Sequence, residues 1–443
     1  MDTNHFSTPP VAPTLTQALI YWLKLGFISF GGPAGQIAIM HHDLVEKKRW
    51  ISERRFLHAL NYCMVLPGPE AQQLATYIGW LMHRTWGGII AGGLFVLPSF
   101  FILLALAWVY MAYGSVPAVA GLLYGIKPAV VALVLFACYR IGSRTLKNAL
   151  LWFISVLAFS AIFIFRLPFP AIILGAGLIG YVGGRIAPQF FQAGVGHGAA
   201  QKSFGAALID DHTPTPAHAL FSWRKLWRIL IVGVALWLAA MAVLFTRYGW
   251  DSTLTQMGWF FTKAALLTFG GAYAVLPYVY QGAVEHYQWL TPTQMIDGLA
   301  LGETTPGPLI MVITFVGFVG GWSHLGGFAA ASLAAAVATF FTFLPSFIFI
   351  FMGGPFIETT HGNLKLTAPL TAITAALVGV IASLALFFAH HVFLPVGLGN
   401  AVEWFSIVLA AAALLALMRF KMGVIPVILC CGVLGMAWKL WLA

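Results

Sequence analysis

Runs of apolar residues, most of them long enough to cross a bilayer, succeed one another along almost the whole chain, and this leaves little choice of solvent. About thirteen can be marked, near 17–40, 56–82, 88–113, 117–139, 149–165, 168–186, 228–246, 256–280, 293–320, 325–353, 368–391, 402–418 and 421–441. Of the 443 residues, 60% are hydrophobic and 8% are charged, where a water-soluble domain carries about 25% charged residues. No aqueous core could hide that much apolar surface, so lipid covers it. Helices satisfy their own backbone in lipid, which makes an all-α polytopic membrane protein the expected fold class. The 16 Trp and 13 Tyr suit the interfacial belts of such a protein.

The net charge of +10 is concentrated in short segments between the apolar runs. There it reads as a topology signal that holds loops in the cytoplasm, not as a nucleic-acid surface. Cys63, Cys138, Cys430 and Cys431 lie inside apolar runs without metal-ligand spacing, so they read as packing residues. No set of metal or cofactor ligands can be assembled, so neither is expected. The first lysine is Lys24; with no basic segment ahead of the first apolar run, a cleaved signal peptide is not expected.

The chain is duplicated. Phe30-Gly31-Gly32 returns as Phe269-Gly270-Gly271, and Pro67-Gly68-Pro69 as Pro306-Gly307-Pro308, each 239 residues later. Lys24, Glu46 and Trp50 return as Lys263, Glu285 and Trp289 at the same interval. Leu97-Pro98-Ser99-Phe100 returns as Leu344-Pro345-Ser346-Phe347 after 247 residues. Internal repeats of this kind are a mark of secondary transporters. The expected division is an N-terminal transporter repeat (1–186), a cytoplasmic linker (187–227), a connecting transmembrane helix (228–248) and a C-terminal transporter repeat (249–443). The linker histidines, His197, His212 and His218, are too scattered for a metal site, and the linker reads as a solvated loop.

Charge bias sets the orientation. Lys47, Lys48, Arg49, Arg54 and Arg55 follow the first Gly-Gly pair, whereas the matching stretch near 281–293 has no Lys or Arg. The positive-inside rule then makes the repeats inverted in topology. Threading every segment straight across would put Arg140, Arg144, Lys147 and Arg185 outside. The conflict vanishes if 56–82, 256–280 and 293–320 each turn back within the membrane. Broken or re-entrant helices are therefore expected at the front of each repeat, while 17–40 could turn back or span.

The breaks carry the chemistry. Pro-Gly-Pro cannot continue a helix, and broken backbone inside lipid is tolerated where it is buried in protein or lines a wet cavity. Half-helices that start after such a break offer free N–H groups and a positive dipole end, which suits an anion. Lys24 and Lys263 stand seven residues before their Gly-Gly pairs; anion attraction competes there with snorkelling to the interface. Glu70 follows the first Pro-Gly-Pro and Glu303 precedes the second. Both sit at membrane depth, where proton coupling competes with a structural ion pair. Gln72, Gln73, Thr304 and Thr305 could bind oxygens or water. The close glycines Gly88 and Gly92, and Gly180 and Gly184, read as helix packing.

The segments FGGPAGQIAIMHHDLVEKKRW and MVLPGPEAQQLATYIGWLMHRTWGGIIAGGLFVLPS resemble the chromate ion transporter family. So do FGGAYAVLPYVY and TTPGPLIMVITFVGF in the second copy. The resemblance covers nearly the whole chain outside the linker and termini, and it implies the long, two-domain bacterial form. It further implies export of chromate from the cytoplasm across the inner membrane and chromate resistance; the partners are a small oxyanion and the lipid bilayer, and a homodimer is compatible. Site positions carried over are Gly31, Gly32, Pro33, Pro67, Gly68, Pro69 and Glu70, with Gly270, Gly271, Pro306, Gly307 and Pro308. The copies differ: Ala272 replaces Pro33, and Leu309 stands where Glu70 would be.

Overall fold

A computed structural model describes residues 10–30, 32–191, 204–359, 367–395 and 402–441. The described residues form sixteen α-helices, and seven of these are long and apolar enough to cross a membrane. The chain is an all-α, multi-pass membrane protein.

The first repeat opens with α1 (Leu15–Ile28), α2 (Gly32–His41), a π-helical turn (His42–Lys47), α3 (Glu53–Cys63) and α4 (Glu70–Tyr113). Thr14 and Gln17 close a capping box on α1, and Ser52 caps α3, so each helix start is fixed locally. α4 is not one rod. His83 (φ −129, ψ 31) and Arg84 (φ 56, ψ −156) leave the helical region, and the chain reverses there. A Cβ on Gly79 would stand 2.4 Å from the Gly87 carbonyl oxygen, and one on Gly88 3.0 Å from that of Thr76. The arms 70–82 and 85–113 therefore run antiparallel in direct backbone contact, an approach that only small residues permit. Next come α5 (Pro117–Thr145), α6 (Ala149–Phe163), α7 (Phe169–Ile186) and the largely exposed connecting helix α8 (Trp223–Tyr248), which starts five residues earlier than expected.

The second repeat copies the order: α9 (Thr253–Leu266), α10 (Ala272–Tyr280), a π-helical turn (Gln281–His286), α11 (Pro292–Thr304), a short 3₁₀ turn (Leu309–Met311), α12 (Val312–Leu325) and α13 (Phe328–Thr359). Even the π-helical turns start 239 residues apart. Here the reversal is made by Gly326 and Gly327, at φ +74 and +76. α12 and α13 pack antiparallel, with Gly317 against Ala334 and Gly321 against Ala331. The chain closes with α14 (Thr367–Phe393), α15 (Trp404–Met418) and α16 (Val424–Trp441).

Contacts sort these elements to two ends of the molecule. At one end the His83 ring bonds Pro13 O at 2.9 Å, and Arg55 pairs with Glu358 at 3.6 Å. At the other, the Phe169 N–H donates to Gln281 Oε1 at 3.0 Å, the Tyr124 hydroxyl donates to Glu403 Oε2 at 2.7 Å, and Trp108 meets Phe328 edge to face. The start of α1, α3 and the end of the arm 70–82 lie at the first end. The end of α10 and the start of α13 lie at the other. The segment 17–40, left open between turning back and spanning, is broken between α1 and α2. Behind the hairpins the repeats interlock: α5 packs on α15 and α16, while α14 packs on α6 and α7. Gly125 lies on the Cys431 carbonyl and Gly379 on that of Ser155.

One expectation is corrected. Residues 204–222, expected within a solvated loop, are a docked strap. Leu208 and Ile209 donate backbone hydrogen bonds to Arg49 O (2.9 Å) and Trp50 O (3.1 Å). Thr215 Oγ1 donates to Glu358 Oε2 at 3.1 Å, and His218, half-buried, bonds Trp80 O at 3.0 Å. Ala219 is fully buried. The polar residues of the strap bond to the protein as well as to solvent, Ser52 Oγ donating to Asp211 Oδ1 at 2.6 Å and Arg55 to Thr213 O at 2.6 Å, which is why its polar composition misleads. His212 is exposed, and His197 lies outside the described residues.

Candidate functional site

The two Pro-Gly-Pro breaks do not pair with each other; each crosses to the Gly-Gly break of the opposite repeat. The Gly68 N–H donates to Thr268 O at 2.7 Å, and the Gly307 N–H donates to Ser29 O at 2.8 Å. Thr268 and Ser29 are themselves 239 residues apart, so the bridges are mirror copies. Proline on each side of the glycine keeps the backbone out of the helix and leaves this N–H free to cross over.

Glycine is required at both crossings. Gly68 is at φ +131 and Gly307 at φ +95, a region that favours glycine. A Cβ on Gly68 would lie 3.0 Å from Ser346 Oγ, and one on Gly307 2.8 Å from Ser99 Cβ. Each break thus packs on the Leu-Pro-Ser-Phe serine of the other repeat. Pro69, Pro306 and Pro308 are buried and Pro67 is half-buried.

The Phe-Gly-Gly turns have different surroundings. A Cβ on Gly32 would meet nothing within 4 Å, and Gly270 is exposed. Beside Gly271 stands Glu70 Oε1, 4.0 Å from where a Cβ would be. Glu70 begins α4 and Gly271 caps the start of α10. The first repeat therefore sets a carboxylate at a positive helix end of the second. Pro33 is half-buried at the start of α2; Gly31 lies outside the described residues.

Uncharged polar groups line the crossings. Gln36 Nε2 donates to Gly307 O at 2.5 Å and reaches Ser29 O at 3.4 Å. Gln72 accepts from Ser346 Oγ at 2.8 Å and donates to Thr76 Oγ1 at 3.0 Å; Gln73 Nε2 donates to Pro67 O at 2.8 Å. Around Gly307 three buried atoms have no hydrogen-bond partner: Ser29 Oγ, Gln36 Oε1 and Ser99 Oγ. Gln73 Oε1, near Gly68, is a fourth. Such atoms need a partner from outside the protein, water or an oxyanion among them. Thr305, buried at the end of α11, donates to Gly302 O at 2.9 Å.

The charged residues separate into several places. Glu303 accepts a hydrogen bond from the Tyr273 hydroxyl, and Arg140 of α5 is near enough for its charge to bear on both. Lys263 is half-buried with Nζ 5.6 Å from the Trp259 ring centre. Lys24 is on the exposed face of α1 with Ile20, Leu23 and Phe27, not among the buried groups at the breaks. Two further cavities, of about 490 Å³ beside Arg166 and Glu285 and about 220 Å³ beneath the strap, include none of the break residues.

Sequence reasoning passed over Ser29, Gln36, Ser99 and Ser346 as site residues. Ser99 and Ser346 had a signal in the repeated Leu-Pro-Ser-Phe. Also missed were Lys127 and Asp297, an ion pair at 3.7 Å in which Asp297 accepts from the Tyr110 hydroxyl at 3.0 Å. The one charge within the run 117–139 and the two within 293–320 were the available sign.

The pattern of the family described as chromate transporter matches residues 16–181 and again 255–436. The chromate transport protein of Pseudomonas aeruginosa is 32% identical over 437 residues, covering 97% of this chain and 94% of that one. The chromate transport protein of Cupriavidus metallidurans is 30% identical over 424 residues, covering 95% and 92%. The uncharacterized transporter YwrB of Bacillus subtilis is 28% identical over 150 residues, 34% of this chain and 74% of its own. No solved structure matches the chain.

Proposed function

This chain belongs to the chromate transporter family, and on that premise we propose that it exports chromate across the bacterial inner membrane and so confers chromate resistance. The observation that carries the reading is the crossed pair of bridges, Gly68 to Thr268 and Gly307 to Ser29. They support a midplane site shared by two repeats of inverted topology, with the strap and linker on the cytoplasmic side. The oxyanion is held at the Phe-Gly-Gly turns, where the α2 N-terminus has open space beside Gly32 and the α10 N-terminus has Glu70 as its neighbour. The Pro-Gly-Pro turns act as the joint between the repeats. Alternating access follows when the repeats rock about that joint, exposing the turns to one end and then the other.

Glu70 gives the site its asymmetry. Its carboxylate stands at the α10 N-terminus, the position a dianion would take, so the two compete. Protonation or displacement of Glu70 accompanies loading. Export has ample driving force: one charge moved through 100 mV is worth about 2.3 kcal/mol, so a dianion leaving a negative-inside cell gains about 4.6 kcal/mol.

The test is chromate flux in proteoliposomes under an imposed potential, with sulfate as competitor. Outward flux that rises with inside-negative potential and resists excess sulfate supports the reading. Flux equally well carried or blocked by sulfate makes the protein a general oxyanion transporter, since backbone N–H groups treat tetrahedral dianions of similar size alike.

A further inference from the structure

We propose that Asp297 is the proton-binding site of this transporter, with Lys127 as its counter-charge and Tyr110 as the group that orients it, and that oxyanion movement is exchanged for protons there. The proposal rests on the transporter reading above.

Tyr110 and Lys127 stand on helices long and apolar enough to span a membrane, and Asp297 packs against them from α11; an ionisable side chain in such surroundings is costly and marks function by default. Asp297 is the sixth residue of α11 and is 2% exposed. Lys127 is the eleventh of α5, about 15 Å along that helix. All the described pairing falls on one carboxylate oxygen. Oδ2 accepts the Tyr110 hydroxyl at 3.0 Å and lies 3.7 Å from Lys127 Nζ, beyond a direct hydrogen bond. Oδ1 is buried with no partner. A pair kept for stability would engage both oxygens, because an unsatisfied lone pair loses part of what burial of the charge needs in return. An unengaged oxygen is where a proton binds.

No other charge competes for Asp297 among the described residues. From the elements packed on α11, only Lys127 of α5 and Tyr110 of α4 bear on it. Lys439 of α16 lies over the Tyr124 ring at 4.8 Å, and His324 of α12 bonds Gly320 O at 3.1 Å. His391 of α14 bonds Phe387 O at 3.0 Å, and His390 packs on the His391 ring. The Lys127 side chain is 24% exposed, so the cluster reaches the surface of the helix bundle on the lysine side.

The position explains what the proton does. α11 belongs to a front hairpin of the second repeat, while Tyr110 and Lys127 belong to the first. The ionised pair holds the repeats together. A proton taken onto Oδ1 makes a neutral acid, removes the attraction for Lys127 and lets α11 part from α5; its release to water on the other side restores the pair. At the matching position of the first repeat stands His58, whose ring bonds Ile357 O at 2.9 Å, so this switch is confined to one repeat.

The experiment uses the full chain in proteoliposomes, with the potential clamped at zero and a pH gradient imposed. Chromate flux driven by the gradient, chromate–chromate exchange and the infrared difference spectrum between acid and alkaline buffer are all recorded. In Asp297→Asn, gradient-driven flux should fall about tenfold or more while exchange stays within about twofold, and Asp297→Glu should recover the gradient response. One component of the wild-type carboxylic C=O signal, the one beyond Glu70 and Glu303, should be missing from Asp297→Asn. Should Asp297→Asn lose exchange as well, the double variant Lys127→Gln/Asp297→Asn removes the unpaired charge. Exchange without a gradient response in the double variant supports the proposal, and a wild-type gradient response overturns it. The proposal also falls if Asp297→Asn follows the pH gradient as the wild type does, if the wild type exchanges chromate but ignores the gradient, or if the C=O difference spectrum of Asp297→Asn is the same as the wild type's. Absence of chromate flux from the wild type under every gradient removes the substrate reading instead, and the infrared band still decides the proton site.

Discussion

The two repeats meet in the middle of the molecule with the same backbone and different charges. After its Pro-Gly-Pro break the first repeat places Glu70, where the second has Leu309. In the helix before the break the second repeat places Asp297 and Glu303, where the first has His58 and Met64. Helix order, π-helical turns, crossed bridges and serine supports are all copied across. Duplication thus fixed a symmetric frame, and single substitutions divided the labour on it. One repeat presents a carboxylate to the Phe-Gly-Gly turn of the other, and the second carries the buried acids that answer to Lys127 and Arg140.

The largest effects should come from breaking what is symmetric. Gly68→Ala and Gly307→Ala force a side chain into a glycine-only region and onto a neighbour. Strain alone costs about 1–3 kcal/mol. Both variants should lose thermal stability in detergent to a similar degree, whereas Gly32→Ala, with open space around its Cβ position, should lose only the strain of φ +69. Next comes the asymmetric pair. Asp297→Ala leaves Lys127 unpaired and should cost about 3 kcal/mol. His58→Ala, at the equivalent position, removes one hydrogen bond and should cost about 1 kcal/mol; melting of the two side by side checks this. Glu70→Gln removes the like charge at the α10 N-terminus and should lower KM for chromate about tenfold in vesicle flux, with a slower turnover if the carboxylate drives release. Ser346→Ala breaks the bond to Gln72 and should cost about 1 kcal/mol, while Ser99→Ala, whose Oγ has no protein partner, should be near neutral in stability. A lower chromate flux in Ser99→Ala at unchanged stability would place that hydroxyl on the substrate. The smallest effect concerns the two reversals. Arg84→Gly should stabilise the first by about 1 kcal/mol, because Arg84 holds the φ +56 that Gly326 and Gly327 adopt freely in the second.

Much of the frame was legible because it depends on residues that repeat. The 239-residue register located both breaks, and the chain is interrupted within 56–82 between α3 and α4. The partnership of the breaks was not legible. A Pro-Gly-Pro turn frees an N–H without saying which carbonyl takes it, and the duplication makes the partner within a repeat and the one across look alike. The strap escaped for a related reason: the bonds from Leu208 and Ile209 are backbone bonds, indifferent to side chains. Lys24 and Lys263 share a register but not surroundings, one flanked by Leu23 and Phe27 on an exposed face, the other over Trp259. Lys127 and Asp297 each look like an isolated charge in an apolar run, and only packing brings them to 3.7 Å.

The crossed bridges also bear on chains of half this length. Neither the Gly68 nor the Gly307 bond can be closed within a single repeat. A protein holding one repeat would therefore need a second polypeptide beside the first to supply the missing carbonyl to each turn.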